Sequence, residues 1–306
     1  MRIKNSGKLV TWFLFFWLSV TLIVSPAHAA KNLNDIISPD DELSKKLPQS
    51  QVFSGIQYSL SKNYNYHFNA STKLDPKTGD VHFEFVSPVY EFRATLDSAL
   101  RLKKAEYITK DKNAINRGGH DRRVITLDPE TKERLTIEFF LHGESVEIKE
   151  LDYDYFTLYL GVAHITMQVL LLNGLKDFHC PVILPDKAWR LGVDFKLIKC
   201  SDPQNLAPQY KFPEKLLKKF KSNNQYLVYV AKLKGALGLF YKRKYYLVYK
   251  AEKPYEFVAY WGGDPKRVEF LFTETTAKGE AETKAGSEAG TKTKPKATTE
   301  TETKVR

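Results

Sequence analysis

Tyr64-Asn65-Tyr66-His67-Phe68-Asn69 decides the fold, because its apolar and polar residues alternate one by one. The same two-residue period returns at Val81-His82-Phe83-Glu84-Phe85 and again over residues 90–96. A period of two places the apolar side chains on one face of an extended chain, so these segments predict three β-strands. Turn-forming residues separate the first two at Leu74-Asp75-Pro76-Lys77-Thr78-Gly79. Together they favour an antiparallel meander with one face in water.

A second copy of the turn pattern lies further along the chain, at Leu127-Asp128-Pro129-Glu130-Thr131. Each copy is followed by a strand-like segment ending in Glu-Phe, at Glu84-Phe85 and at Glu138-Phe139. One interpretation is a duplicated unit of three strands and a helix. The other is that the same favourable turn is used twice, and two copies do not decide between them.

The segment 155–175 contains no charged residue, which predicts one central helix that is apolar around most of its circumference. Its polar stripe would comprise Thr157, Gly161, His164 and Gln168. Further strand patterns follow at 192–198, 226–233, 239–249, 255–261 and 268–272, and a short helix at 213–221. We therefore predict an α+β fold: a mainly antiparallel sheet, with a duplicated βββα unit as one option, one central apolar helix and short peripheral helices.

Residues 1–29 have the organisation of a secretory signal peptide. Basic residues at the start precede an apolar run over 9–24, and Ala27-His28-Ala29 supplies a small-x-small cleavage site. The run is shorter than the roughly 20 residues that span a membrane, although an uncleaved anchor is the alternative. We expect an exported protein, periplasmic or extracellular, that begins at Ala30 and has no transmembrane helix after cleavage.

The rest of the chain divides by composition. Residues 30–51 form a polar lead-in with a short helix, and 52–272 form the folded region, with one possible sub-boundary near 176–190. Residues 273–306 contain no aromatic residue. Such a segment buries too little apolar surface to offset its ordering entropy, so it predicts a disordered tail.

The chain has two cysteines, Cys180 and Cys200. In an oxidising compartment an isolated pair most simply forms one disulfide, with two free thiols as the alternative. A metal site made of cysteines alone is excluded, because structural zinc takes four ligands.

Positive charge is concentrated between Lys211 and Lys253, where twelve basic residues stand against two acids in a chain of net charge +11. Tyrosines are interleaved with these cations, a composition that suits an anionic partner such as a glycan, a lipid headgroup or another polyanion. The alternative is a solvated sheet face whose aromatic rings point inward. The predicted binding residues are Lys232, Lys234, Lys242, Arg243, Lys244, Tyr245 and Lys250.

The only metal-like group comprises His67, His82 and Glu84. If Phe68 lies opposite Val81, the two imidazoles face each other on the wet side and could share an ion. Histidines without a role are common on a solvated face, so these residues are candidates only and no metal is predicted.

Two histidines are candidates for catalysis. His120 and Asp121 lie in a basic loop, where His120 could act as a general base and Arg117, Arg122 or Arg123 could hold an anion. Neighbouring residues of a strand point in opposite directions, however, which disfavours a His-Asp dyad there. His164 could serve as a base if its helix face lines a cleft, whereas a hydrogen-bonded buried histidine is the ordinary alternative.

The sequence contains no P-loop, dinucleotide-binding motif, His-Glu-x-x-His motif or EF-hand loop, so we predict no cofactor and no dinucleotide. The pattern as a whole favours an exported, non-enzymatic binding protein whose basic, aromatic-rich surface engages an anionic ligand. The alternative is a secreted hydrolase that uses His120 or His164.

Overall fold

The computed structural model describes residues 30–38, 40–59, 64–112, 115, 119–154, 156–184, 188–220, 225–235, 238, 243–263 and 268–274. The predicted signal peptide lies outside these residues, and so does the predicted tail from residue 275 onward. Thr273 and Glu274, which the sequence assigned to the tail, are the last residues of a strand. The folded region therefore extends two residues beyond the predicted boundary.

In the described part of the chain, sixteen strands form one sheet. They are β1 (Lys31–Asn32), β2 (Ser50–Ser59), β3 (Tyr64–Leu74), β4 (Val81–Val86), β5 (Tyr90–Leu96), β6 (Leu102–Thr109), β7 (Arg122–Leu127), β8 (Arg134–Leu141), β9 (Glu144–Asp152), β10 (Leu158–Tyr159), β11 (Asp177–Leu184), β12 (Trp189–Cys200), β13 (Tyr226–Leu233), β14 (Lys244–Lys250), β15 (Phe257–Gly262) and β16 (Glu269–Glu274). Two α-helices are described over their whole length, α1 (Ala163–Leu172) and α2 (Glu214–Phe220). Short 3-10 helices occupy Leu33–Asp35, Leu43–Lys46, Leu160–Val162 and Pro203–Leu206.

The sheet consists of two meanders joined at one seam. Strands β2 to β9 follow one another as neighbours, and so do β11 to β16. The antiparallel pairing of β16 with β2 joins the two sets. The short strands β1 and β10 pair in parallel with β11. Every residue of β11 pairs with β12, which continues four residues further to Cys200, so the described strands on the two sides of the possible sub-boundary near 176–190 belong to one sheet.

The predicted α+β class is wrong, because the described chain is mostly β-sheet. The apolar segment expected to form one long helix is divided: Leu158–Tyr159 pairs with β11, a 3-10 turn follows, and α1 has only ten residues. An apolar run without a clear period suits a buried strand and a buried helix equally, so its composition could not decide between them. No described helix is long and apolar enough to cross a membrane.

The two Asp-Pro turns have similar hydrogen bonds without a duplicated unit around them. Asp75 Oδ1 accepts a hydrogen bond from the Lys77 N–H at 2.8 Å, and Asp128 Oδ1 accepts one from the Glu130 N–H at 2.8 Å. After β5, however, the chain enters β6 at Leu102 instead of a helix. The recurrence therefore reflects a favourable turn used twice, and the βββα unit does not occur at the first copy.

Strands β13 to β16 are buried on both faces, so the alternative of a solvated sheet face over 211–253 is wrong for these strands. Tyr226 and Tyr246 pack on the outer face in the cluster that includes Phe220 of α2, whereas Tyr229 and Tyr249 pack on the inner face. Because α2 and the segment before it cover the outer face, apolar residues are needed at successive positions of these strands.

The predicted disulfide is wrong. Cys180 lies opposite Val193 in the β11–β12 pair, whereas Cys200 ends β12 opposite Tyr226 of β13. Seven residues of extended chain separate Val193 from Cys200, a span of about 23 Å at roughly 3.3 Å per residue. A disulfide joins cysteines whose Cα atoms are about 7 Å apart or less, so both cysteines are free thiols in this structure.

Candidate functional site

The inner face of the sheet lines a half-open cavity of about 600 Å³. The register explains its wall, because residues directly opposite one another across neighbouring strands share a face. Leu247 lies opposite Tyr260, Tyr260 opposite Leu271, and Leu271 opposite Gln57. The face continues through Tyr66 of β3 and the phenylalanines of β4 and β5 to Tyr107 of β6. Eight neighbouring strands, from β14 to β6, therefore line one space.

The first turn of α1 and the 3-10 turn before it form one side of this cavity. Gly161, Ala163 and His164 all line it. A Cβ atom on Gly161 would lie 2.7 Å from Cζ of Phe92, so only glycine lets the chain pass this ring without a shift. Beyond the first turn, α1 itself fills the interior with buried side chains such as Met167 and Leu170.

His164 is enclosed by protein, and the surface it retains faces the cavity. Its ring contacts Phe53, Phe83 and Phe257, with centroid distances of 5.9, 5.0 and 5.1 Å. Burial lowers the pKa of this imidazole from 6.5 to about 4, so the ring is neutral at pH 7. Its buried Nε2 atom has no hydrogen-bond partner among the described residues.

Aromatic rings stack along one wall of the cavity. Phe68 stacks on Phe85 at 4.8 Å, Phe85 on Tyr90 at 5.0 Å, and Tyr90 on Tyr107 at 4.8 Å. Offset stacking at such distances is favourable beyond the burial of area alone, and it holds each ring in place. The wall is therefore apolar and pre-formed, as in sites for small apolar ligands.

Polar groups gather at one end of the cavity, where β2 and β6 end and β5 and β16 begin. Tyr90 Oη donates to Gln57 Oε1 at 3.0 Å, and Gln57 Nε2 donates to Glu269 Oε2 at 3.4 Å. Asp111, which follows β6, also lines this end. Burial, and secondarily nearby groups that include Glu269, raise the pKa of Tyr260, so its phenol stays protonated. The cavity thus has an apolar interior and one polar, acidic end.

The predicted basic binding residues that the structure describes lie outside the cavity lining. Lys232 lies directly opposite Lys244. Lys234 and Arg243, which lie within two residues of this pair along the sequence, are exposed. Lys250 pairs with Glu256 at 2.5 Å, and Tyr245 stacks on Tyr260 at 6.4 Å. Lys242 lies outside the described residues.

The predicted metal candidates are not brought together, because the assumed register is wrong. Val81 lies opposite Leu74 instead of Phe68, so His82 faces Lys73. His67 contacts Glu274 at 3.5 Å and Glu84 pairs with Arg93 at 3.0 Å. The described residues contain no group of three or more side chains that could hold a metal ion.

The histidine loop does not form a catalytic arrangement in its described part. The His120 ring packs against Phe139 at 4.7 Å, and Asp121 Oδ1 is buried without a hydrogen-bond partner. Arg122 pairs with Glu106 at 2.6 Å, and Arg123 lies over the Tyr107 ring at 4.2 Å. Arg117 lies outside the described residues. His120, Asp121, Arg122 and Arg123, the described members of this group, do not line the cavity, whereas His164 does.

Comparisons with known proteins add little. No protein-family model matches the chain, and no curated protein is similar enough to match it. The chain is similar to a solved structure, the crystal structure of a beta-barrel-like protein of the domain of unknown function DUF1849 from Brucella abortus. The likeness covers 74% of this chain and 94% of that chain, with a TM-score of 0.41 and 9% sequence identity. Similarity at this level carries no argument about this chain.

Proposed function

We propose that this protein is an exported, non-enzymatic binding protein that holds a small, largely apolar ligand in the aromatic cavity. The supporting observation is the cavity itself, a space of about 600 Å³ walled by stacked rings. Ligand sites are typically pre-formed, predominantly apolar spaces of about 300–1,000 Å³ with a few polar groups that fix orientation.

The surroundings of His164 favour binding over hydrolysis. A general base in catalysis must lie within hydrogen-bond reach of the proton it takes, and it is usually oriented by a further polar group. His164 is instead surrounded by three phenylalanine rings, and its Nε2 has no partner. The hydrolase alternative therefore has less support than ligand binding.

Uptake of Nile red, a neutral dye whose fluorescence rises in apolar surroundings, tests this proposal. Thr109 lines the cavity, whereas Ile108, its neighbour on β6, points to the opposite face. We expect wild-type protein to bind the dye, Thr109→Trp to weaken binding by about tenfold because the indole occupies the cavity, and Ile108→Trp to bind as wild type. Absence of dye uptake by wild-type protein, or equal uptake by Thr109→Trp, would contradict the proposal.

Binding of an anionic glycan, lipid or other polyanion by the basic strand ends is the second candidate function. Like charges directly opposite one another destabilise a strand pair, and Lys232 faces Lys244 in this way. A bound anion would offset that repulsion. The exposed cations Lys234 and Arg243 extend the same patch of charge.

Retention on a heparin resin tests the second candidate. Charge reversal at Lys232, Arg243 and Lys244 should move elution to lower salt, because each lost cation removes a salt-dependent contact. The matched control reverses three exposed lysines elsewhere, at Lys77, Lys104 and Lys132. If both triple variants shift equally, retention reflects net charge alone and this candidate is wrong.

A further inference from the structure

The imidazole of His164 lines the cavity without a hydrogen-bond partner, and it supports an inference about the ligand that rests on the proposed binding function. Neither of its ring nitrogens hydrogen-bonds another described residue. Gln168, one turn further along α1, donates instead to the Pro254 carbonyl oxygen at 2.8 Å. Buried polar groups in native proteins are nearly always hydrogen-bonded, so the exception at His164 requires an explanation.

The two ring nitrogens of His164 have different surroundings. Nε2 is fully buried, so Nδ1 is the nitrogen that a molecule in the cavity can reach. Because its lowered pKa keeps the ring neutral at pH 7, one nitrogen carries a proton and the other a lone pair. The rings of Phe53 and Phe83 meet the imidazole edge to face, at interplanar angles of 82° and 66°. The face of an aromatic ring attracts an N–H group and repels a lone pair, so these contacts favour the proton on Nε2.

Nδ1 is therefore a hydrogen-bond acceptor that opens into the cavity, and water is a poor donor for it. A buried water molecule needs about two to four polar partners, and the three phenylalanine rings around His164 supply none. At the polar end, by contrast, Gln57 and Glu269 offer several hydrogen-bonding atoms. A ligand hydroxyl needs only the bond to Nδ1, since the rest of the ligand is an apolar body that the cavity accommodates.

We propose that the ligand is an alcohol or a phenol whose hydroxyl donates a hydrogen bond to Nδ1 of His164 and whose apolar body lies along the stacked rings of the cavity wall. The turn that carries His164 is held in place, because Tyr249 Oη donates to the His164 carbonyl oxygen at 2.9 Å. An ether or a ketone of the same shape has no proton to donate, so the cavity selects against it.

Two isomers, 1-decanol and 1-methoxynonane, test this proposal, because they have the same composition and only the first has a hydroxyl proton. Displacement of Nile red from the protein at neutral pH measures both affinities. We expect 1-decanol to bind about fivefold more tightly, which is the difference that one net hydrogen bond makes. Equal affinities, or no displacement of bound dye by either compound, would overturn the hydroxyl proposal and leave the binding function intact. Absence of dye uptake would instead refute the binding function.

The same substitution at two histidines separates recognition of the hydroxyl from a general effect. His164→Leu should reduce the preference for 1-decanol to within about twofold, because leucine has a similar volume and accepts no hydrogen bond. His120→Leu is the matched control and should keep the full preference. His120 also packs against a phenylalanine ring, that of Phe139 at 4.7 Å, but it does not line the cavity. A preference that survives in His164→Leu would overturn the proposal.

Nitrogen NMR of the wild-type His164 ring gives a second readout, which decides the question if His164→Leu shows no cooperative urea transition. In the free protein we expect the proton on Nε2. Addition of 1-decanol should shift the Nδ1 resonance, whereas 1-methoxynonane should leave it in place. Equal responses to the two compounds, or a proton on Nδ1 in the free protein, would contradict the proposal.

Discussion

Acidification should destabilise this protein through His164, because the folded state holds its imidazole neutral. The pKa is about 4 in the folded protein, against 6.5 for the unperturbed group. Above the ordinary pKa neither state binds the proton, so stability is unaffected there. As the pH falls below that value, the unfolded state binds a proton that the folded state does not, and the free energy of unfolding decreases until the folded pKa is reached.

The size of the effect follows from the two pKa values. Their separation corresponds to a full loss of about 3 kcal/mol, and by about pH 5 about 2 kcal/mol of it is already lost. His164→Leu removes the titrating group, so its unfolding free energy should lack this component. Subtracting the variant's pH dependence from that of wild type cancels the contributions of the other six histidines.

Urea denaturation of both proteins at about pH 7.5 and about pH 5 gives the free energy of unfolding that each protein loses between the two conditions, and the variant's loss is then subtracted from that of wild type. We expect wild type to lose about 2 kcal/mol more than His164→Leu between the two conditions. NMR titration of the His164 ring in the folded protein should also show no protonation until near pH 4. Identical pH dependence in the two proteins, together with a ring that titrates near its usual value, would refute the claim that His164 is enclosed by the phenylalanines.

Two further predictions concern the sheet. Denatured protein without reductant should react as two thiols per chain, whereas native protein should react slowly, because burial raises the pKa of Cys200 to about 11 and that of Cys180 further. A mass lower by two hydrogen atoms before reduction would show that a disulfide forms. Gly55→Ala should lower the free energy of unfolding, measured by urea denaturation, by about 1–3 kcal/mol. The reason is that its Cβ would lie 2.3 Å from the Phe272 carbonyl oxygen and 2.4 Å from the Phe68 ring. Unchanged stability would mean that the β16–β2 seam is looser than described.

Much of the strand content was predictable, because it depends on local alternation. The predicted strand 226–233 has the same bounds as β13, and the alternating segments from Tyr64 to Leu96 are β3, β4 and β5. Register was not predictable in the same way. The Asp75 turn joins β3 and β4 tightly, so Val81 pairs with Leu74, six positions from the Phe68 partner assumed from the alternation alone.

The candidate site was less accessible to sequence reasoning. The pattern did place Phe83, Phe85 and Phe92 on one face, but it could not show that the space beside them is left empty rather than filled. Whether this space stays empty depends on where α1 begins. The uncharged run over 155–175 contains no capping residue that marks this point, because Val162 caps the helix without a side-chain hydrogen bond. Glu269 and Gln57 likewise meet only because β16 pairs with β2.

The seam between β16 and β2 has a consequence for how the molecule acquires its binding site during folding. Every other pairing within the two meanders joins strands that follow one another along the chain, so each meander can form through short loop closures. The seam joins residues 269–274 to 54–59, which makes it the strand pairing with the longest loop closure among the described residues. Since the cavity wall crosses this seam, ligand uptake should appear with the slowest folding phase, after most strands have already paired. A refolding experiment in the presence of Nile red would therefore time the closure of the seam.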